Sequence, residues 1–161
     1  MKKTLYIIIA ALCIFASCDE KNGTIPEDPT EQPKEMSMAE KIIGSWHCPA
    51  TSVDAEIYVT FTKSNTFSLY QKVGDGRFRS YNGTWKLTTS DNKYLLSGEY
   101  NDGEPWGATY EATSTGDDVI TLTADNVSET YSRVEAIPEE VISNSVTVVK
   151  SHGEESSRGY F

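Results

Sequence analysis

The most regular pattern in this chain is Val53-Asp54-Ala55-Glu56-Ile57-Tyr58-Val59-Thr60-Phe61. Its odd-numbered residues are all apolar, while mostly polar residues alternate with them. Successive side chains of a strand point to opposite faces, so this pattern predicts a half-buried strand. A turn at residues 63–65 follows, after which Phe67 and Leu69 continue the inward face. The stretch therefore predicts the first long hairpin of an antiparallel sheet.

The same period of two runs outward from this hairpin, from Trp46 to Val134. Counting a short strand at Trp46, the pattern predicts eight strands in hairpin succession. A meander of this kind closes most simply into an up-and-down barrel, because closure removes both sheet edges. The predicted fold class is therefore all-β, a small closed barrel with a short N-terminal helix. The predicted inner-face aromatic residues are Phe61, Phe67, Phe78, Tyr81, Trp85, Tyr94, Tyr100, Tyr110 and Tyr131.

Two features of this inner face leave alternatives open. Between Phe78 and Tyr81 the residues that face inward change from even-numbered to odd-numbered positions. This change predicts either a bulge near Ser80 or two strands in place of one. An eight-stranded barrel encloses only side chains or one small ligand. The many aromatic rings are therefore compatible with a small cavity or with a completely filled core.

A helix is predicted directly before the first strand. Ser37-Met38-Ala39-Glu40 has the form of a capping box, in which the serine and the glutamate side chains satisfy each other's backbone amides. Gly44 stands where a helix end prefers a left-handed residue. We therefore expect a helix over residues 38–43.

Four short motifs then occur in a fixed order: Gly44-Ser45-Trp46, Thr60-Phe61, Thr66-Phe67 and Gly83-Thr84-Trp85. Their order and spacing over residues 40 to 135 resemble the lipocalin-like domains of bacterial envelope lipoproteins. The turn at residues 63–65 departs from the Asp-Gly that is frequent in that family. The resemblance implies a barrel that carries a small apolar or amphipathic ligand.

The resemblance also implies a structural pair. In lipocalins an arginine from the last strand packs over the tryptophan of the first. Alternating strand direction brings Arg133 to the same end of the barrel as Trp46, so we expect a cation–π contact within about 6 Å. Both residues are predicted to be structural.

At the opposite end, the mouth, we expect four connections: around Pro49 and at residues 74–76, 101–107 and 125–126. Trp106, beside Asp102, is the candidate exposed aromatic side chain that contacts a ligand or partner. In the alternative interpretation its ring folds over the rim of the barrel and plugs the opening. Glu129 shares the inward face with Tyr131 and needs a partner if it is buried. Gln71 is a similar candidate. The predicted ligand-binding residues are thus Trp106, Glu129, Gln71 and Asp102.

The N-terminus is typical of an export signal. Lys2 and Lys3 precede an apolar run that ends in Phe15-Ala16-Ser17-Cys18, and this resembles a bacterial lipoprotein signal. The resemblance implies lipidation of Cys18 and an outer-membrane, lipid-anchored protein. The alternatives are an ordinary secretion signal or an uncleaved helix, for which the run is too short. The predicted domains are a signal peptide (1–17), a disordered tether (18–36), the barrel (37–136) and a partly disordered C-terminal extension (137–161).

Charge and motif content limit the partners. The formal net charge of −10 argues against a nucleic-acid partner and also against electrostatic adsorption to anionic lipid. The acyl chains alone are therefore expected to hold the protein, as a monomer, on the membrane. His47 and Cys48 point to opposite strand faces, so neither a metal site nor a nucleophile–base pair is expected there. Hydrolase, phosphate-loop and dinucleotide motifs are absent from the sequence. We predict a protein without enzymatic activity or cofactor: a ligand carrier or, alternatively, a glycan- or protein-binding module with a filled core.

Overall fold

The computed structural model describes residues 36–49 and 54–149. The predicted signal peptide, Cys18, almost all of the tether and residues 150–161 lie outside this part of the chain. Within it, no helix is long and apolar enough to cross a membrane. The elements in chain order are α1 (Met38–Ile42), β1 (Gly44–Cys48), β2 (Ala55–Phe61), β3 (Thr66–Val73), β4 (Arg79–Ser90), β5 (Lys93–Tyr100), β6 (Tyr110–Ser114), β7 (Val119–Ala124), β8 (Val127–Val134), α2 (Glu139–Ser143) and β9 (Val146–Thr147).

The first eight strands form a closed antiparallel barrel. Each pairs with its neighbours in sequence, and β1 also pairs with β8, with Trp46 opposite Arg133. The predicted eight-stranded up-and-down barrel is therefore confirmed. The ninth strand, β9, adds parallel to the start of β4. The C-terminal extension thus supplies a strand to the barrel wall.

The short helix α1 lies at one end of the barrel, which we call the closed end. The capping box is present: the Ser37 amide donates to Glu40 Oε2 (2.8 Å), and the Glu40 amide donates to Ser37 Oγ (3.3 Å). Gly44 is not the left-handed cap that we predicted, because Ile43 is already extended and Gly44 is the first residue of β1. Glycine is needed there because the Arg133 guanidinium occupies the space of a side chain.

Arg133 and Trp46 join the helix to the barrel. Arg133 Cζ lies 4.2 Å from the Trp46 ring centroid, so the predicted cation–π contact is present. The guanidinium also donates to the carbonyls of Lys41 (2.7 Å) and Ile43 (2.9 Å), and Trp46 Nε1 donates to the Ile42 carbonyl (2.8 Å). These bonds satisfy carbonyls at the end of α1 that have no partner within the helix.

Neither alternative for the parity switch, a bulge near Ser80 or two strands in place of one, is present, because β4 is one strand from Arg79 to Ser90. The pairing of β3 with β4 keeps one register from Thr66 opposite Thr84 to Gln71 opposite Arg79. The parity switch has another cause: Phe78 precedes β4 and packs on the outer wall, 6.0 Å from the Tyr58 ring and 5.0 Å from Lys72 Nζ. Phe78 is therefore not an inner-face residue.

Tyr94 also departs from the predicted interior, since 42% of it is exposed. It pairs with Thr89 near the tip of the long β4–β5 hairpin, where the last residues of β4 are exposed as well. The hairpin extends beyond the core, so Tyr94 faces solvent there although the alternation of the strand would place it inside. The predicted inner-face aromatics that are buried are Phe61, Phe67, Tyr81, Trp85, Tyr100 and Tyr131.

Candidate functional site

Trp106 lies inside the barrel, and the prediction of an exposed aromatic is wrong. Only 5% of it is exposed, and its ring centroid lies 5.1 Å from that of Phe67 and 6.4 Å from that of Phe61. Gly98 has no side chain to oppose it, and the indole fills that space. Of the two interpretations from the sequence, the structure agrees with a tryptophan that plugs the barrel.

The connection between β5 and β6 explains this burial. The Tyr100 amide donates to the Glu104 carbonyl (2.8 Å), and the Trp106 amide donates to the Gly98 carbonyl (2.9 Å). The hairpin therefore continues past β5 and turns tightly at residues 101–103, with Gly103 at a φ of 86°. The dipeptide Asp102-Gly103 is a hairpin signal that could have located this turn from the sequence.

Four buried side chains with polar atoms lie on the inner face toward the mouth, and we call them the mouth layer. Glu129 is 4% exposed and Gln71 is 5% exposed. Cys48 Sγ donates to Glu129 Oε2 at 3.8 Å, and Gln71 Nε2 donates to Tyr81 Oη at 3.5 Å. The structure thus supplies the expected partner for Glu129, and that partner is a thiol that the sequence did not suggest. The mouth layer consists of Cys48, Gln71, Tyr81 and Glu129.

Burial shifts the acidity of two members of the mouth layer. It raises the pKa of Cys48 to about 11, and the nearby charge of Glu129 and its hydrogen bond with the thiol act in the same direction. Burial likewise raises the pKa of Tyr81. Both groups therefore stay protonated at neutral pH, and each offers a hydrogen for a hydrogen bond.

His47 points away from the mouth layer, as the strand parity predicts. Its ring stacks on Tyr58 with centroids 4.3 Å apart, and its Nε2 lies 3.5 Å from a Glu56 carboxylate oxygen on the outer wall. Among residues 36–49 and 54–149, no group of three His, Cys, Asp or Glu side chains is arranged to hold a metal ion. His47 and Cys48 thus do not act together.

Asp102 lies apart from Glu129, in the tight turn after β5. Its Oδ1 accepts from the Glu104 amide at 3.3 Å. It borders a groove of about 290 Å³, which we call the lateral groove. This groove brings Asp102 near Tyr81, and through Tyr81 it adjoins Gln71. The groove is lined by Tyr81, Asn82, Tyr100, Asn101, Asp102, Thr147, Val148 and Val149.

A second groove, of about 480 Å³, lies at the closed end between α1 and the β4–β5 hairpin. It contains Tyr94 and the ion pair of Lys93 with Glu111 (2.7 Å). It contains none of the four residues predicted to bind a ligand. The mouth layer and the lateral groove, which together contain Gln71, Glu129 and Asp102, are therefore the candidate site.

The described residues form a closed, eight-stranded, antiparallel up-and-down barrel with one added strand and a short helix at one end. No family model matches this chain, and no curated protein matches it. A solved structure that is similar is the NMR structure of a protein from Bacteroides uniformis ATCC 8492, with 13% sequence identity and a TM-score of 0.48. The match covers 60% of this chain and 91% of that one.

Proposed function

We propose that this protein is a lipid-anchored envelope lipoprotein whose barrel binds a small amphipathic ligand at its mouth. The observation that carries the proposal is the burial of a carboxyl and an amide, Glu129 and Gln71, on the inner face of a small barrel. Apolar side chains of similar size would fill such a position at lower cost in free energy. A binding site that needs polar groups to orient a ligand explains why they are there.

The chemistry of the mouth layer restricts the ligand. The carboxyl oxygens of Glu129 accept hydrogen bonds, so a ligand group that donates one suits this position. The formal net charge of the whole chain is −10, which disfavours an anionic ligand. A neutral or cationic amphiphile with a hydroxylated or amine head fits both conditions. The proposed role is binding, without catalysis or cofactor.

Glu129→Gln is the variant that tests this role. The substitution preserves shape but removes the charge, so binding of n-octyl β-D-glucoside below its micellar concentration is expected to weaken about tenfold, or about 1.4 kcal/mol. The affinity is measured from amide chemical shifts during an NMR titration. Glu99→Gln, an exposed glutamate on the outer face of β5, is the matched control and leaves the affinity unchanged. Equal affinity in the two variants would remove Glu129 from the site.

A specific observation favours a second function. Trp106 packs edge-on against Phe67 and close to Phe61, so aromatic rings occupy the middle of the barrel. A filled core suits a module that binds a glycan or a protein partner through its outer surface. Native mass spectrometry of the purified chain separates the two functions. A co-purified small molecule supports the carrier, and an empty chain that octyl glucoside does not perturb supports the module.

The anchor is proposed from the sequence around Cys18. Cys18→Ala is expected to abolish incorporation of a labelled fatty acid in a bacterial host and to move the protein from the membrane fraction to the soluble fraction. The reason is that the acyl chains contribute about 0.8 kcal/mol per buried methylene and no other membrane contact is proposed. Cys13→Ala is the matched control and retains the label. Labelling that persists in Cys18→Ala would reject the anchor.

A further inference from the structure

Beside the mouth, the first residues of β4 have no partner on β5, because the pairing of these two strands ends before it reaches them. Tyr100 ends β5 opposite Gly83, so β4 continues toward the mouth past the end of β5. There β9 takes the place of β5: Val146 pairs with Arg79 and Thr147 pairs with Ser80. Ser80 is 6% exposed although it faces outward, and its Oγ lies 3.3 Å from Thr147 Oγ1. The C-terminal segment therefore closes a gap in the wall.

The segment that closes this gap, residues 145–149, is called the strap. It is held to β4 by two residue pairs and by hydrogen bonds from the Val146 amide to the Phe78 carbonyl and from the Val148 amide to the Ser80 carbonyl, both 2.9 Å. Val146 is 51% exposed and Val149 is 83% exposed. Val148 is partly buried and packs against the core, but a segment with few hydrogen bonds and two exposed valines opens at a lower free-energy cost than the barrel itself.

The lateral groove lies between the strap and the turn after β5. The rings of Tyr81 and Tyr100 have centroids 5.8 Å apart and both are almost fully buried. Behind them, the Tyr81 hydroxyl accepts from Gln71 Nε2 at 3.5 Å. Opening the strap would therefore uncover a direct route from the outer wall to the mouth layer.

The chemistry of the groove indicates which headgroup it suits. Asn82, whose Oδ1 accepts from Ser68 Oγ at 2.9 Å, and Asn101 line the groove together with Asp102 and the apolar residue Val148. Amides and carboxylates exchange hydrogen bonds with sugar hydroxyls, whereas the Asp102 charge opposes a carboxylate head. The volume of about 290 Å³ is close to the lower limit for small-molecule sites.

We propose that the strap is a gate over the lateral groove, and that a neutral amphiphile with a sugar head passes beneath it to the mouth layer. This inference rests on the proposed carrier function and adds the route and the headgroup class. Asn82, Asn101 and Asp102 contact the sugar head as it enters, Glu129 and Gln71 bind it in the mouth layer, and the apolar tail lies in the groove against Val148 and the tyrosine pair.

A reversible lock tests the gate. Ser80 and Thr147 side chains face each other, so Ser80→Cys with Thr147→Cys is expected to form a disulfide, made in the full chain with Cys13 and Cys18 replaced by alanine. Oxidation is expected to slow the association of n-octyl β-D-glucoside at least tenfold, and reductant is expected to restore it. The control is Thr121→Cys with Thr130→Cys, an outer-face pair with the same oxygen–oxygen distance of 3.3 Å. Equal association rates for the locked and reduced forms would overturn the gate.

Two further measurements separate the gate from the proposed function. Amide hydrogen exchange needs no ligand: the Val146 and Val148 amides are expected to exchange at least 100-fold faster than the Trp106 amide, whose hydrogen bond is also 2.9 Å long. Equal exchange rates would overturn the gate even if ligand binds. Octanoate has an apolar tail one carbon shorter and a carboxylate in place of the sugar. Binding of octanoate as tight as that of octyl glucoside would overturn the headgroup class, and no binding of either would reject the carrier function itself.

Discussion

Replacement of Arg133 by methionine is expected to lower the free energy of unfolding by about 3–5 kcal/mol. The guanidinium stacks on Trp46 and donates to three carbonyls, those of Lys41, Ile43 and Asp117. Methionine keeps much of the apolar stem but none of these bonds. The carbonyls at the end of α1 would lose their partner while remaining partly buried, and this cost adds to that of the lost contact.

Urea unfolding followed by tryptophan fluorescence measures this effect. The control is Arg77→Met, because Arg77 is exposed in the connection before β4. Its expected change is within about 0.5 kcal/mol. If the two variants were equally stable, Arg133 would not join α1 to the barrel, and the conformation of Gly44 would need another explanation.

Trp106→Ala is expected to cost about 3–5 kcal/mol, because it removes a buried indole from the middle of a packed aromatic core. The cavity that it leaves lies among Phe61, Phe67 and Tyr110. Such a cavity is apolar, so indole added at a saturating concentration is expected to fill it. Indole then raises the Tm of the variant by roughly 4 °C for each 1 kcal/mol of binding free energy and leaves the wild type unchanged.

Thermal unfolding by circular dichroism with and without indole makes this measurement. Tyr94→Ala is the matched control, since Tyr94 is an aromatic residue that is 42% exposed, and it is expected to cost less than about 1 kcal/mol. A Trp106→Ala protein of wild-type stability would show that the indole does not support the core. It would then return Trp106 to the set of residues available for a ligand.

Most of the fold could be predicted from local pattern. The alternation from Val53 to Phe61 places Ile57, Val59 and Phe61 inside, and all three are buried. The strand count and the inward parity of Gln71 and Glu129 follow from the same period. The capping box was predictable because all its interactions lie within four residues of sequence.

The candidate site could be predicted only in part. Parity indicated that Glu129 faces inward, but its partner Cys48, on the neighbouring strand β1, is 81 residues away in sequence. For Trp106 the sequence left two interpretations open, an exposed aromatic and a plug, because it did not reveal how tight the turn after β5 is. Phe78 was misplaced because an apolar residue beside a strand can pack on either wall.

The alternation of side chains predicted the eight-stranded barrel, the faces of its strands and the end of the barrel at which Arg133 lies. These features depend on side-chain alternation and on alternating strand direction, which are properties of consecutive residues. The tertiary structure was needed to show that Trp106 fills the core and that residues 145–149 close the wall beside β4. Both outcomes depend on which space remains free once the barrel has closed, and no local period encodes that space.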